Sequence, residues 1–148
     1  MKSDEKERKM SNLKINVLEV LKDKHISIKD FCKTVGLGKN MIYDLDVHLP
    51  TLQNAIKIAN ALNVSLDYLI GRSDSQEQYF ININENNFIV NLDKILKSKH
   101  ISKLKFSKEL NLSTDCFTRW RAGAIPYLTT ILRIADYLGC SIDELLGA

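Results

Sequence analysis

Apolar residues recur every three or four positions along much of the chain, and this spacing is typical of amphipathic α-helices. The first apolar face is formed by Leu13, Val17, Leu18 and Leu21. A later segment begins after Pro50 and has a second apolar face, made of Leu52, Ala55, Ile56, Ala59 and Leu62. The pattern predicts an all-α fold.

The ends of further helices can be placed from capping residues and glycines. Ser27 is predicted to cap a second helix, which runs to the Gly-Leu-Gly break at residues 36–38. A third, short helix fits residues 39–45, and Ser65 is predicted to cap a last helix that ends at Gly71. Together with the two amphipathic segments, these boundaries predict five helices.

The tetrapeptide KHIS occurs twice, at residues 24–27 and again 75 positions later at residues 99–102. The sequences around the two copies match in the same order, with a single residue inserted in the second. The matched pairs include Asn16 with Asn91, Leu21 with Leu96, Phe31 with Phe106, Leu37 with Leu112, Pro50 with Pro126, Leu62 with Leu138, Ser65 with Ser141 and Gly71 with Gly147. Two copies of one unit are therefore predicted, domain 1 over residues 13–72 and domain 2 over residues 88–148, with KHIS at the same corner of each.

Two segments lie outside the repeated units. Residues 1–12 are charged with both signs and are predicted to be a disordered or frayed helical lead-in. Residues 73–87 are predicted to be a linker, and its stretch YFININ, residues 79–84, favours β-structure. Two interpretations of this stretch stay open: an extended linker whose aromatic side chains rest on a domain, or a short strand that pairs with its copy in a dimer.

The composition argues against several classes of protein. No apolar run approaches the roughly 20 residues of a membrane span, and the charged start has no apolar secretion segment. A cytoplasmic protein without a membrane partner is therefore expected. Three separated cysteines without a CxxC pair argue against a disulfide framework and a zinc site, and His25 and His100 lack nearby further ligands. No nucleophile–base set, carboxylate pair or phosphate-binding glycine loop is present, so neither an enzyme nor a cofactor is expected.

Several motifs resemble those of the Cro/repressor-type (XRE) helix-turn-helix family. In copy one they are IKDFCKTVGL at residues 28–37 and SLDYLIGRSD at residues 65–74; in copy two they are NLS at 111–113, WRAG at 120–123, Pro126 and SIDELLG at 141–147. The resemblance implies two tandem five-helix, lambda-repressor-like domains, usually dimeric, whose third helix enters the DNA major groove. Copy one departs from the pattern, because LDVH at residues 45–48 stands where copy two has WRAG.

The resemblance also implies which positions contact DNA. In domain 2 they are Ser102, Lys103, Lys105, Ser113, Thr114, Asp115, Thr118, Arg119 and Arg121. In domain 1 they are Ser27, Lys29, Gly38, Lys39, Asn40, Tyr43 and Asp44. The third helix is expected to present its first residues and one face to base edges.

The two copies differ in charge at these positions. Asp30, Asp44, Asp46 and Ile28 of copy one correspond to Lys105, Arg119, Arg121 and Lys103 of copy two. A lysine in the first turn of a helix faces the positive end of the helix dipole, and a DNA phosphate would compensate for it. Domain 2 is therefore predicted to be the stronger DNA reader. The alternatives are a solvated surface for Lys103 and Lys105 and a structural ion pair for Asp46.

Four residues with distinctive side chains are predicted to serve packing rather than chemistry. Cys32 corresponds to the small residue at which the two motif helices cross in the family. Cys116 and Cys140 lie on apolar faces, and Trp120 is expected to pack the third helix onto its domain.

The formal net charge of +3 weakly favours an anionic partner. The prediction is a sequence-specific, double-stranded-DNA-binding transcriptional regulator, a repressor of the phage or mobile-element kind. The alternative is a protein-interaction module, such as an antitoxin, antirepressor or inhibitor, that uses one or both folds to bind a protein. A homodimer is expected, with domain 2 reading a palindrome and domain 1 supporting the assembly or binding a protein partner.

Overall fold

The helical periodicity of the sequence appears in the structure as two sets of helices. The computed structural model describes the backbone of residues 2–78 and 83–147 and the side chains of residues 12–78 and 83–147. The chain divides into two compact units, Met1–Tyr79 and Phe80–Ala148. The all-α prediction is confirmed for the described residues, which contain helices and no β-strand.

The first unit contains five helices in the described residues: α1 (Lys2–Asp23), α2 (Ile28–Val35), α3 (Lys39–Tyr43), α4 (Leu52–Leu62) and α5 (Leu66–Ile70). The charged lead-in is part of α1, because that helix runs without a break from Lys2. Helix α3 is shorter than predicted and ends at Tyr43. Leu45 lies in the following turn, where its side chain is buried.

The second unit opens with a 3₁₀ turn (Glu85–Asn87), followed by α6 (Phe88–Ser98), α7 (Lys103–Glu109), α8 (Cys116–Arg121), α9 (Leu128–Leu138) and α10 (Ile142–Leu146). Serine hydroxyls cap corresponding helices in both units. Each accepts a hydrogen bond from the backbone N–H three residues later, as shown by Ser27, Ser65, Ser102 and Ser141. Local sequence signals therefore set the same helix starts twice.

The two KHIS tetrapeptides form the same corner. His25 and His100 both adopt a left-handed backbone conformation, with φ of 56° and 57°, and both are exposed. The next residue, Ile26 or Ile101, donates its backbone N–H to the carbonyl of Leu21 or Leu96. The prediction that these histidines lie at exposed helix corners is confirmed. Within the described residues, no group of three or more His, Cys, Asp or Glu side chains is arranged to hold a metal ion.

The two cores differ in chemistry. Unit 1 is packed mainly with aliphatic side chains, whereas unit 2 has a connected aromatic cluster of Phe88, Phe106, Phe117, Trp120 and Tyr137. Trp120 packs edge-to-face against Phe88 and Phe117, at ring-centroid distances of 5.1 and 5.5 Å. The predicted packing role of Trp120 is thus confirmed.

The three cysteines are free thiols. Cys32 and Cys116 are buried, as predicted, and burial raises the pKa of the Cys32 thiol, with the Lys39 charge opposing the shift. Cys140 is only half-buried, so its assignment to the core is wrong. It follows Gly139, the left-handed residue that ends α9, and there it borders a shallow surface depression.

An asparagine in the first long helix of each unit caps the last helix of that unit. The Asn16 amide donates to the carbonyls of Tyr68 and Leu69 at 3.0 and 3.1 Å. The Asn91 amide donates to those of Leu145 and Gly147 at 3.0 and 2.7 Å. These carbonyls lie at or just after the C-termini of α5 and α10, where the intrahelical hydrogen-bond pattern ends, so each asparagine ties the end of its unit to the beginning.

Both ends of the predicted linker are folded onto a unit. Ser65 donates its backbone N–H to the Gln76 carbonyl, and the Gln78 amide donates to the Asn60 side chain and the Val64 carbonyl. On the other side, Ile83 is buried and the Asn84 N–H donates to the Leu146 carbonyl. The proposed β-segment, apart from residues 83–84, lies outside the described residues.

Candidate nucleic-acid interface

Helices α7 and α8 of unit 2 are joined by a tight turn. The turn contains Asn111 at φ 54°, where unit 1 has Gly36 at φ 74°. Asparagine tolerates this left-handed conformation better than most residues, so the turn is kept without glycine. The Leu112 N–H closes the turn by donating to the Ser107 carbonyl at 2.8 Å. The arrangement is a helix-turn-helix, with α8 in the position of the second motif helix.

All predicted contact residues of unit 2 are exposed: Ser102, Lys103, Lys105, Ser113, Thr114, Asp115, Thr118, Arg119 and Arg121. They come from the start of α7, from the turn and from α8. Thr114 and Asp115 precede α8, which begins at Cys116. Asp115 is the N-cap residue of α8, whereas the corresponding Asn40 lies within α3 of unit 1, which begins at Lys39.

Three of the predicted residues form one hydrogen-bonded cluster, named here the reading cluster: Ser113, Asp115 and Arg119. The Ser113 hydroxyl donates to Asp115 Oδ1 at 2.7 Å, and Arg119 Nη2 donates to the Ser113 hydroxyl oxygen at 2.9 Å. Arg119 Nε lies 3.5 Å from Asp115 Oδ1. The hydrogen bond from Ser113, assisted by the Arg119 charge, lowers the pKa of Asp115. These contacts restrict the guanidinium, which remains more than half exposed.

Two other predicted cations meet at a single carboxylate on α6. Arg121 Nη2 lies 3.1 and 3.0 Å from the two oxygens of Asp93, and Lys103 Nζ lies 3.7 Å from Asp93 Oδ1. Both cations also lie over the ring of Phe117, at 5.4 Å for Lys103 and 5.7 Å for Arg121. We call Asp93, Lys103, Phe117 and Arg121 the phosphate-side cluster. The Lys103 side chain is 52% exposed and contacts both Asp93 and the Phe117 ring.

The other predicted residues of this face are less constrained. Lys105 is exposed in the first turn of α7, and its backbone N–H is bound by the Ser102 hydroxyl at 3.1 Å. Among the described residues, no ion pair within 4.0 Å holds the Lys105 ammonium. Thr118 lies between Phe117 and Arg119 on α8, and it is exposed. Lys105 is therefore available to an external anion.

The predicted contact residues of unit 1 are also exposed: Ser27, Lys29, Gly38, Lys39, Asn40, Tyr43 and Asp44. Here, however, the chemistry is mixed. Tyr43 and Val47 leave 50% and 60% of their surface exposed, and Asp44 ends α3 as its C-cap. This face therefore has an acid, Asp44, where unit 2 has Arg119, and it adds exposed apolar surface at Tyr43 and Val47.

The structure confirms an ion pair at Asp46. Its Oδ1 lies 3.5 Å from Lys14 Nζ on α1. Asp46 corresponds to Arg121, which pairs instead with Asp93 on α6. The sequence reasoning missed both partners. Comparing the copies could have found one of them, because Asp93 corresponds to the apolar Leu18 and breaks the helical pattern of α6.

The comparison with protein families agrees with this geometry. A family model for the Cro/C1-type HTH DNA-binding domain matches residues 91–148, which contain most of α6 and all of α7 to α10. Neither the curated proteins nor the solved structures contain a match to this chain. Within the described residues, no helix is both long and apolar enough to cross a membrane. Residues 91–148 are therefore similar to a Cro/C1-type helix-turn-helix DNA-binding domain, both in the family match and in the order of their helices.

Proposed function

We propose that this chain is a sequence-specific transcriptional regulator of the repressor kind, acting in the cytoplasm, and that unit 2 reads double-stranded DNA. The observation that carries the proposal is the exposed basic face of α7 and α8 within a Cro/C1-type domain. On this face Arg119 is exposed and restricted by Ser113 and Asp115. A restricted guanidinium loses less side-chain entropy when it binds than a mobile one does.

The proposed binding mode follows from these positions. Helix α8 enters the major groove, where Arg119 donates to guanine O6 and N7. Asp115 is an acceptor for a cytosine amino group, and Thr118 contacts a neighbouring base edge. Ser102 and Lys105 bind backbone phosphates, which position the domain without reading sequence.

A second function is proposed for unit 1. Its five helices, in the same order and with the same serine caps, support a tandem helix-turn-helix arrangement. Its face carries Tyr43, Asp44 and Val47 at positions that would approach DNA, and an acid there repels the phosphate backbone. Exposed aromatic and aliphatic side chains suit a protein partner better. We therefore propose that unit 1 supports the assembly or binds a protein.

The test is a gel-shift titration of the full chain on DNA that flanks its gene. Arg119→Ala should lower the affinity by about 1–3 kcal/mol and relax the specificity at one base pair. Lys105→Ala should weaken binding to all sequences and make the salt dependence shallower. The matched controls are Lys39→Ala and Asn40→Ala in unit 1, from which we expect smaller losses. If the unit 1 variants are the more damaging, the assignment of roles is wrong.

The proposed assembly is a homodimer in which the two copies of unit 2 read a palindrome. Support comes from the unlike charges of the two units, since one chain alone would present two different reading faces. Light scattering at tens of micromolar should give the mass of two chains. If a strand at residues 79–83 joins them, Ile81→Lys should give monomers. A monomer that still binds DNA tightly would contradict the dimer.

A further inference from the structure

Asp93 occupies the position that an external anion would take between Lys103 and Arg121. Both of its oxygens accept from Arg121, and one also lies within ion-pair distance of Lys103. A backbone phosphate presents the same kind of acceptor to a guanidinium, because its two non-bridging oxygens can also accept two hydrogen bonds. The phosphate-side cluster thus has the donors of a phosphate site, with a carboxylate already in it.

The ion pairs in this cluster are weak enough to exchange. The side chains of Asp93, Lys103 and Arg121 are 38%, 52% and 45% exposed, so water competes with each contact. Exposed ion pairs of this type add little to the stability of a folded domain. DNA carries about one charge per 1.7 Å of its axis and releases condensed counterions when cations bind it. A phosphate therefore has a driving force that the Asp93 carboxylate lacks.

We propose that Lys103 and Arg121 form a backbone-phosphate site of unit 2, that Asp93 fills this site in the DNA-free protein, and that a DNA phosphate displaces it. The inference rests on the proposed DNA-binding function and deepens it. The ring of Phe117 lies beneath both cations, so they stay near their positions when the carboxylate is replaced. Asp93 is part of the chain, so its carboxylate competes with a backbone phosphate for Lys103 and Arg121 whatever the DNA sequence.

Unit 1 provides an internal contrast. There the acid, Asp46, belongs to the turn after α3, and the cation, Lys14, belongs to α1. Asp46 itself stands at the position of Arg121, so unit 1 has no arginine there. Removing Asp46 would release only Lys14. The proposal is therefore specific to unit 2.

The experiment measures binding of the full chain to a mixed-sequence duplex by fluorescence anisotropy at several salt concentrations. Asp93→Asn should tighten binding about twofold to tenfold, because no carboxylate then competes with the phosphate. It should also steepen the slope of log K against log salt slightly, because in wild type the displaced carboxylate takes up a cation and offsets part of the counterion release. Adding Lys103→Gln and Arg121→Gln to Asp93→Asn should remove both changes. Two controls remove one negative charge elsewhere: Glu144→Gln on the exposed face of α10 and Asp46→Asn in unit 1. Neither should change the slope.

The outcomes separate the possible failures. Unchanged or weaker binding by Asp93→Asn overturns the proposal, and so does an equal gain from Glu144→Gln, which would show a general charge effect. If wild type shows no salt-dependent binding and Arg119→Ala has no effect, the proposed function itself fails. Circular dichroism melting checks folding. If Asp93→Asn does not fold, Lys103→Gln/Arg121→Gln with Asp93 intact must make the slope shallower, and an unchanged slope overturns the proposal.

Discussion

The two units make an ion pair between their first helix and the end of their third-helix region, but with opposite polarity. In unit 1 the first helix supplies the cation, Lys14, and the later residue supplies the acid, Asp46. In unit 2 the first helix supplies the acid, Asp93, and Arg121 supplies the cation. The two arrangements show that the fold accepts either sign at this contact. The polarity is therefore open to selection for function, and in unit 2 it keeps cations on the face that we propose binds DNA.

The same comparison extends to the core. Phe88 of α6 corresponds to Leu13 of α1, and Trp120 corresponds to Leu45. The aromatic side chains of unit 2 are in edge-to-face contact and extend under the cations of the phosphate-side cluster. Unit 1 has aliphatic residues at these places. We infer that the aromatic core of unit 2 serves both packing and the support of its cationic surface.

The largest expected effect comes from truncating one large buried side chain in the core of each unit. Phe88→Ala should lower the unfolding free energy of unit 2 by about 3–5 kcal/mol, and Leu13→Ala should lower that of unit 1 by about 2–5 kcal/mol, because each leaves a cavity at a buried site. Urea denaturation followed by tryptophan fluorescence reports unit 2, which holds the only tryptophan, while circular dichroism reports both. Leu13→Ala should leave the fluorescence midpoint in place. A shared shift would show that the units unfold together.

An intermediate effect is expected where the units agree. Asn16→Ala and Asn91→Ala each remove two hydrogen bonds to part-buried helix-end carbonyls. Each should cost about 1–3 kcal/mol, because those carbonyls lose the hydrogen bonds from the asparagine amide. Asn40→Ala, on an exposed helix surface, is the control and should change stability by less than about 0.5 kcal/mol. Thermal melts measure these stability losses. A large difference between the losses in Asn16→Ala and Asn91→Ala would show that the two caps are not equivalent.

The smallest expected effect concerns the reading cluster, which unit 1 lacks. The folded-state pKa of Asp115 should lie below its usual value of 3.8, because the Ser113 hydroxyl and the Arg119 charge favour the carboxylate. The charged form therefore stabilises the folded state at neutral pH, and this contribution is lost as the pH falls below 3.8 through the folded-state pKa. Carboxyl-carbon NMR titration should show a higher pKa in Ser113→Ala. No difference between wild type and Ser113→Ala would contradict the cluster.

What the sequence by itself determined about this protein is local. Helical periodicity, serine caps and the repeated KHIS corner specify helix starts and turns because these features depend on residues within a few positions of one another. The exposed positions of the predicted contact residues in both units followed from the same repeat and the family resemblance.

Only the tertiary structure decided which of those side chains are held and by what. Asp93 meets Arg121 from 28 positions away, Asn16 reaches Tyr68 across 52, and the Gln76 carbonyl returns to the α5 cap. Asp93 differs from the apolar Leu18 at the corresponding position of unit 1, but a single polar residue on a helix reads as solvated until its neighbour in space is known. The basic residues of unit 2 were therefore predictable from the sequence, whereas the pairing of Asp93 with Lys103 and Arg121 was not.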